Sequence, residues 1–97
     1  MTTLHVLSHS PFSDTRLASC LRLAGPDDAL LLTGDAVYAL QPGTEPLARL
    51  TAHGVRLYAL LEDVQARGLT PAAHAEAIDY ARFVQLSIDY DKVNTWL

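Results

Sequence analysis

The chain has 97 residues, of which 49% are apolar, and its seven Lys and Arg against eleven Asp and Glu give a formal net charge of −4. That length predicts one domain, residues 1–97, with enough apolar residues for a core but so much exposed surface that burial against other chains is favoured. Scattered basic residues and an acidic balance exclude a binder that wraps nucleic-acid phosphates, and the lack of an apolar run of about 20 residues excludes a membrane-spanning helix.

Residues 4–11, LHVLSHSP, read as a short apolar strand, with Leu4, Val6 and Leu7, that runs into a polar turn. Ligands and reactive groups gather beyond the carboxyl ends of parallel strands, so Ser8, His9 and Ser10 are the first place to look for chemistry. A helix over residues 13–24 follows, with Ser13 or Asp14 as N-cap, Leu17, Ala18, Leu21 and Ala24 as its apolar face, and Gly25-Pro26 as its stop. Residues 29–32, ALLL, are too short for a helix and apolar throughout, the pattern of a strand covered on both faces. Thr33-Gly34-Asp35 turns the chain, and residues 36–40 predict a short helix entering a short strand. Thr44 as N-cap, with Pro46 in the first turn, opens a helix through Leu50 that Gly54 closes. Residues 55–60 give a third strand, and Glu62 or Asp63 begins a short helix ending at Gly68.

After the helix-start signal Thr70-Pro71 the pattern permits either one long helix or a strand at Ala77-Ile78 followed by a helix from Asp79. The second is preferred, with Phe83, Leu86 and Tyr90 on the apolar face and Val84 and Ile88 supporting it. The tail, residues 91–97, leaves Trp96 and Leu97 in need of a surface, within the chain or on a partner, and both are candidate interface residues. The alternation of elements predicts the α/β class, a three-layer α/β/α arrangement with a mainly parallel sheet.

One cysteine excludes an internal disulfide, so Cys20, if it acts, acts as a reduced thiol or a persulfide. Two readings of Cys20 stay open. As a nucleophile it would be a thiolate, favoured by Arg16 one turn before it on the same helical side, with His9 as a possible base. As a packing residue it would be a small apolar side chain beside Leu17 and Leu21. His5, His9, His53 and His74 give no helical metal pair, and on a strand His5 and His9 would stand about 13 Å apart, too far for one ion. No glycine-rich phosphate-binding signature is present, so neither a metal nor another cofactor is expected.

Four segments in order, LHVLSHSP, LLLTGDAVYAL, LYALLEDVQARGL and IDYARFVQLSIDYDKVNTWL, together resemble the TusB/DsrH family of small sulfur-relay subunits along essentially the whole chain. The resemblance implies a DsrE/F/H-like fold. It implies a cytoplasmic heterohexamer, a dimer of heterotrimers with TusC/DsrF-like and TusD/DsrE-like subunits, that hands persulfide sulfur to a TusE/DsrC-like carrier. In the TusB branch that sulfur reaches the wobble uridine of tRNA as 2-thiouridine, with no direct tRNA binding by this subunit; in the DsrH branch it belongs to sulfur oxidation. The principal persulfide cysteine would reside on the TusD/DsrE-type subunit, making this chain mainly structural. DsrH-like chains carry a cysteine on the first helix, where Cys20 falls, so the alternative is a DsrH-like subunit with Cys20 as a persulfide carrier. A free-standing α/β binding module is the further alternative.

Overall fold

The computed structural model describes residues 2–70 and 75–96 and is organised on a five-stranded, wholly parallel sheet of order β4-β3-β2-β1-β5. The strands are β1 (Thr3–Leu7), β2 (Ala29–Leu32), β3 (Arg56–Leu60), β4 (Ala75–Ile78) and β5 (Lys92–Trp96). Between them run α1 (Arg16–Leu23), a 3₁₀ helix (Gly34–Leu40), α2 (Glu45–His53), α3 (Leu61–Ala66) and α4 (Tyr80–Asp89). His74 and the Pro71 of the helix-start signal lie outside the described residues.

The central strand β2 is buried along its whole length, as the unbroken apolar run predicted. Its side chains alternate between two cores. Leu30 and Leu32 join Leu7, Leu57 and Ala59 on the face packed by α1, the 3₁₀ helix, α2 and α3. Ala29 and Leu31 join Leu4, Val6, Tyr58 and Ile78 on the face packed by Leu86 of α4, with Phe83 and Tyr90 against it. The period of two along each strand is therefore visible in the burial, and the three-layer α/β/α class holds.

Connection geometry explains why one helix stands alone on its face. The chain steps from β1 to β4 in one direction across the sheet, then returns across its full width to β5. Parallel crossovers share one hand, so the reversal of travel carries α4 to the opposite face.

Several local expectations need correction. Helix α1 begins at Arg16 with Thr15 as N-cap, not at residue 13. Ser10 and Ser13 instead close their own turn, with Ser13 N–H and Oγ–H both donating to the Ser10 carbonyl at 3.2 and 3.0 Å. Asp14 accepts from Arg16 N–H at 2.9 Å, a side-chain turn just ahead of the helix. Residues 36–40 form no strand. Both edges of β2 are already occupied by β1 and β3, and Ala36, Val37, Ala39 and Leu40 bury together from a 3₁₀ turn. Helix α3 starts at Leu61, a residue or two before the expected start.

Helix α2 matches its signals, with Thr44 at the N-cap position, Pro46 in the first turn and Gly54 taking the left-handed conformation that stops it, φ 73°. The strand-then-helix choice after residue 75 holds, and Asp79 caps α4 by accepting from Arg82 N–H at 2.8 Å. Val84 and Ile88, however, do not support the core face. Each is two residues from Leu86, about 160° around the helix, and they are 58% and 71% exposed. With Tyr80, also exposed, they form a four-residue-spaced apolar stripe on the outer flank of α4.

The tail is a fifth strand, which the sequence pattern did not indicate. β5 pairs in parallel with β1 from Thr3↔Lys92 to Leu7↔Trp96 and so fills the second edge of β1. Its entry is pinned by Thr2: Asp91 accepts from Thr2 N–H at 3.0 Å, and Lys92 N–H donates to the Thr2 carbonyl at 3.1 Å. Among the described residues no helix is long and apolar enough to cross a membrane.

Candidate functional site

The carboxyl edge of the sheet between β1 and β2 is where Ser8, His9 and Ser10 emerge. Thr33 ties the two strand ends together, with N–H and Oγ1–H both donating to the Leu7 carbonyl at 2.9 and 3.1 Å. Gly34 follows with φ 51°, and a Cβ on it would stand 3.3 Å from the Ser8 carbonyl, so both conformation and close approach favour glycine there. Its N–H donates to Asp63 at 2.8 Å, and Arg67 bridges Asp35 at 2.9 Å and Asp63 at 3.6 Å, fixing the 3₁₀ helix to α3. Arg67 also lies over the Tyr38 ring.

The sequence-predicted group does not converge on a reactive centre. His9 is exposed, and among the described residues its hydrogen-bond neighbour is Ser8 Oγ, at 3.5 Å. Arg16 pairs with the Asp14 carboxylate next to it. Cys20 is fully buried with Leu17 and Leu21 in the core beneath α1. Burial, and secondarily the negative charge of Asp28, push its thiol up to about 12, so the folded chain holds it as an un-ionised packing group. A neutral thiol-alkylating reagent is therefore expected to label Cys20 at least about 100-fold more slowly in the native chain than in urea, because labelling waits on an opening event. Equal rates in a mass-spectrometric time course would contradict that burial.

A groove of about 410 Å³ opens between the loop after β1 and the first turn of α2. Phe12, Leu17 and Pro46 give it an apolar floor, and Asp14, Glu45 and Arg49 give it a charged rim. Arg49 is already paired with Glu45 at 2.6 Å. Neither Cys20 nor His9 lines this groove. Among the described residues no three His, Cys, Asp or Glu side chains gather to hold a metal ion.

A different constellation lies on the α1 side of β1, and spacing gave no hint of it. His5 is buried, 5% exposed, and lies between Asp28 and Trp96. Its Nε2 is 3.2 Å from Asp28 Oδ2, and its Nδ1 is 3.1 Å from the Trp96 indole nitrogen. Asp28 also accepts from Thr3 N–H at 2.9 Å and Gly25 N–H at 2.8 Å. Burial raises the Asp28 carboxyl, but these backbone donors and His5 outweigh it and hold the group below the usual carboxylate range. The residue-level clues were a histidine interrupting an apolar strand, an aspartate just before the next strand and a tryptophan near the chain's end. Only the pairing of β5 with β1 brings the tryptophan to the histidine.

Comparison with known proteins bears on what this architecture is used for. A family model described as "DsrH like protein" matches residues 9–93. Protein TusB of Pectobacterium parmentieri is 39% identical over 95 residues, covering 96% of this chain and 99% of that protein. Protein TusB of Escherichia coli O81 (strain ED1a) is also 39% identical over the same shares, and that of Erwinia tasmaniensis is 37% identical. Among solved structures, the ychN protein from E. coli superposes with a TM-score of 0.78 at 25% identity, covering 99% of this chain and 100% of that one. The chain therefore belongs to the TusB/DsrH family, and its parallel sheet is the fold of that structural relative.

Proposed function

We propose that this chain is a subunit of a TusBCD-type sulfur-relay complex that serves 2-thiolation of the wobble uridine in tRNA, and that its own part is structural. The observation that carries this reading is the likeness to proteins named TusB, 39% identical over 95 residues and nearly the full length of both chains. In this reading the companions are TusC/DsrF-like and TusD/DsrE-like subunits, assembled as a dimer of heterotrimers. The acceptor is a TusE/DsrC-like carrier, and the complex works in the cytoplasm without direct tRNA contact by this chain.

Persulfide transfer is attack by one thiolate on the outer sulfur of a persulfide, with the other sulfur leaving as thiolate. It demands a low-pKa, reachable thiol on each side. The buried, un-ionised state of Cys20 supports a partner subunit as the sulfur carrier. Assembly is supported by the exposed stripe of Tyr80, Val84 and Ile88, a helix flank that water covers only at a cost. Trp96 and Leu97 remain proposed contact residues; Trp96 is half-buried within the chain, and Leu97 lies outside the described residues.

The test is native mass spectrometry of the tagged chain isolated from its own cells without reductant, followed by denaturing mass analysis of each component. The expected result is two companions of similar size, with an added sulfur atom on one of them, and loss of tRNA 2-thiouridine in a strain lacking this chain. Added sulfur on Cys20 would replace the structural role with that of a carrier in a DsrH-like complex for sulfur oxidation. A lone chain with normal tRNA thiolation would overturn the relay reading in favour of a free-standing binding module.

A further inference from the structure

The contact between His5 and Trp96 specifies a protonation state by geometry alone. An indole N–H only donates, so His5 Nδ1 must offer a lone pair to it across 3.1 Å. The ring proton then sits on Nε2 and points at Asp28 Oδ2, 3.2 Å away. This tautomer joins three separate stretches of chain: the turn before β2 through Asp28, β1 through His5 and the end of β5 through Trp96. The two rings are 6.1 Å apart and tilted by 45°, so the hydrogen bond and not face-to-face stacking sets the indole's position.

We propose that His5 is a protonation-sensitive latch on the C-terminal strand: neutral, it holds the Trp96 indole, and on taking up a proton at Nδ1 it releases it. The step is uptake of one proton from solvent by the Nδ1 lone pair. That places an N–H opposite an N–H, where no hydrogen bond can form. The Nε2–H to Asp28 contact survives and becomes an ion pair, so the broken bond is confined to the β5 side.

Among the described residues, the charged and titratable groups around the latch are few. Asp28 approaches from the turn before β2, its carboxylate 3.2 Å from Nε2. The Cys20 thiol of α1, un-ionised, belongs to the core on this face. On β5, Lys92 lies opposite Thr3, on the same sheet face as His5 and Trp96, and Asn94, directly opposite His5, carries no charge. β5 pairs with β1 alone, so Trp96 is its side-chain anchor at the carboxyl end of the sheet.

Trp96 is the single tryptophan of the chain, so its indole N–H resonance and its emission report on the latch directly. When the pH is lowered from about 8 to about 5, the wild-type indole resonance is expected to move upfield in a single-proton step, with the emission shifting alongside it. In His5→Gln, the amide oxygen accepts from the indole and the amide N–H donates to Asp28 at every pH, so both signals are expected to stay at their high-pH positions. A wild-type indole signal that does not move while the circular dichroism is unchanged would overturn the latch, as would an equal step in His5→Gln. Should that variant fail to fold, ring ¹⁵N shifts of wild-type His5 near pH 8 decide the matter. The Nε2–H tautomer is expected, and a proton on Nδ1 would overturn it.

Discussion

Leu30→Ala should lower the stability of the folded chain by about 2–5 kcal/mol, the cost of removing a large side chain from a site that cannot collapse. Leu30 has no exposed surface, sits on the central strand and faces the core shared by α1, the 3₁₀ helix, α2 and α3. With β1 and β3 hydrogen-bonded on either side, β2 has no freedom to move into the void. Domains of this size have about 5–15 kcal/mol in total, so the loss amounts to a large fraction of it. Urea unfolding followed by circular dichroism should show a midpoint lower by on the order of 2 M. Val84→Ala, on the exposed flank of α4, should stay within about 0.5 kcal/mol of wild type. Comparable losses from the two would contradict the burial pattern.

Asp28→Ala should cost about 2–4 kcal/mol by a different route. It strips the acceptor from Thr3 N–H, Gly25 N–H and His5 Nε2 together, leaving donors in a half-buried corner with nothing opposite. Asp28→Asn keeps one acceptor oxygen but turns an amide N–H toward those donors, so an intermediate loss is expected. The pH dependence follows from the depressed carboxyl. Burial opposes ionisation, the Gly25, Thr3 and His5 donors favour it more, and the folded-state value lies below that of the unfolded chain. Its stabilisation is then fully present above the unfolded value, about 3.9, and is lost as pH falls through the folded one. Urea midpoints measured from pH 6 down to pH 2 should fall in wild type and fall less steeply in Asp28→Asn. Identical acid limbs would sink this account. Asp14 is also depressed, by the Arg16 backbone N–H and side chain against some desolvation, and its share of the acid limb should persist in the variant.

Much of the framework was legible because it rests on local rules. The ALLL run could be satisfied only by burial on two faces, Gly54 and Asp79 sit where helix ends demand them, and the parallel class followed from strands and helices in alternation. The tail was opaque for a physical reason. KVNTW has no two-residue apolar alternation, since an edge strand on the surface buries little, and its strand state comes from the open side of β1 almost ninety residues away. Val84 and Ile88 misled in the opposite way: they are apolar at helical spacing, but α4 has two apolar flanks and only one meets the sheet.

The site was less legible than the fold. Cys20 was correctly placed on the first helix beside Leu17 and Leu21, yet whether it is reactive depended on depth, and depth depends on how β1, β2 and α1 pack together. His5, Asp28 and Trp96 come from three segments, and no motif can encode a meeting that sheet order creates.

The pairing of β5 with β1 also sets an order of events during synthesis. β1 leaves the ribosome before either partner: β2 follows within about thirty residues, whereas β5, on the other side, is made after every other strand of the sheet. Until residues 92–96 emerge, the nascent chain carries a complete row of unpaired backbone groups along β1, and His5 has no indole to meet. Closing that edge is the contact of greatest sequence separation in the sheet, so it carries the largest loop-closure entropy and comes late in folding. Until then the nascent domain is four-stranded with a sticky side, and the codons for residues 92–96 supply the strand that closes it.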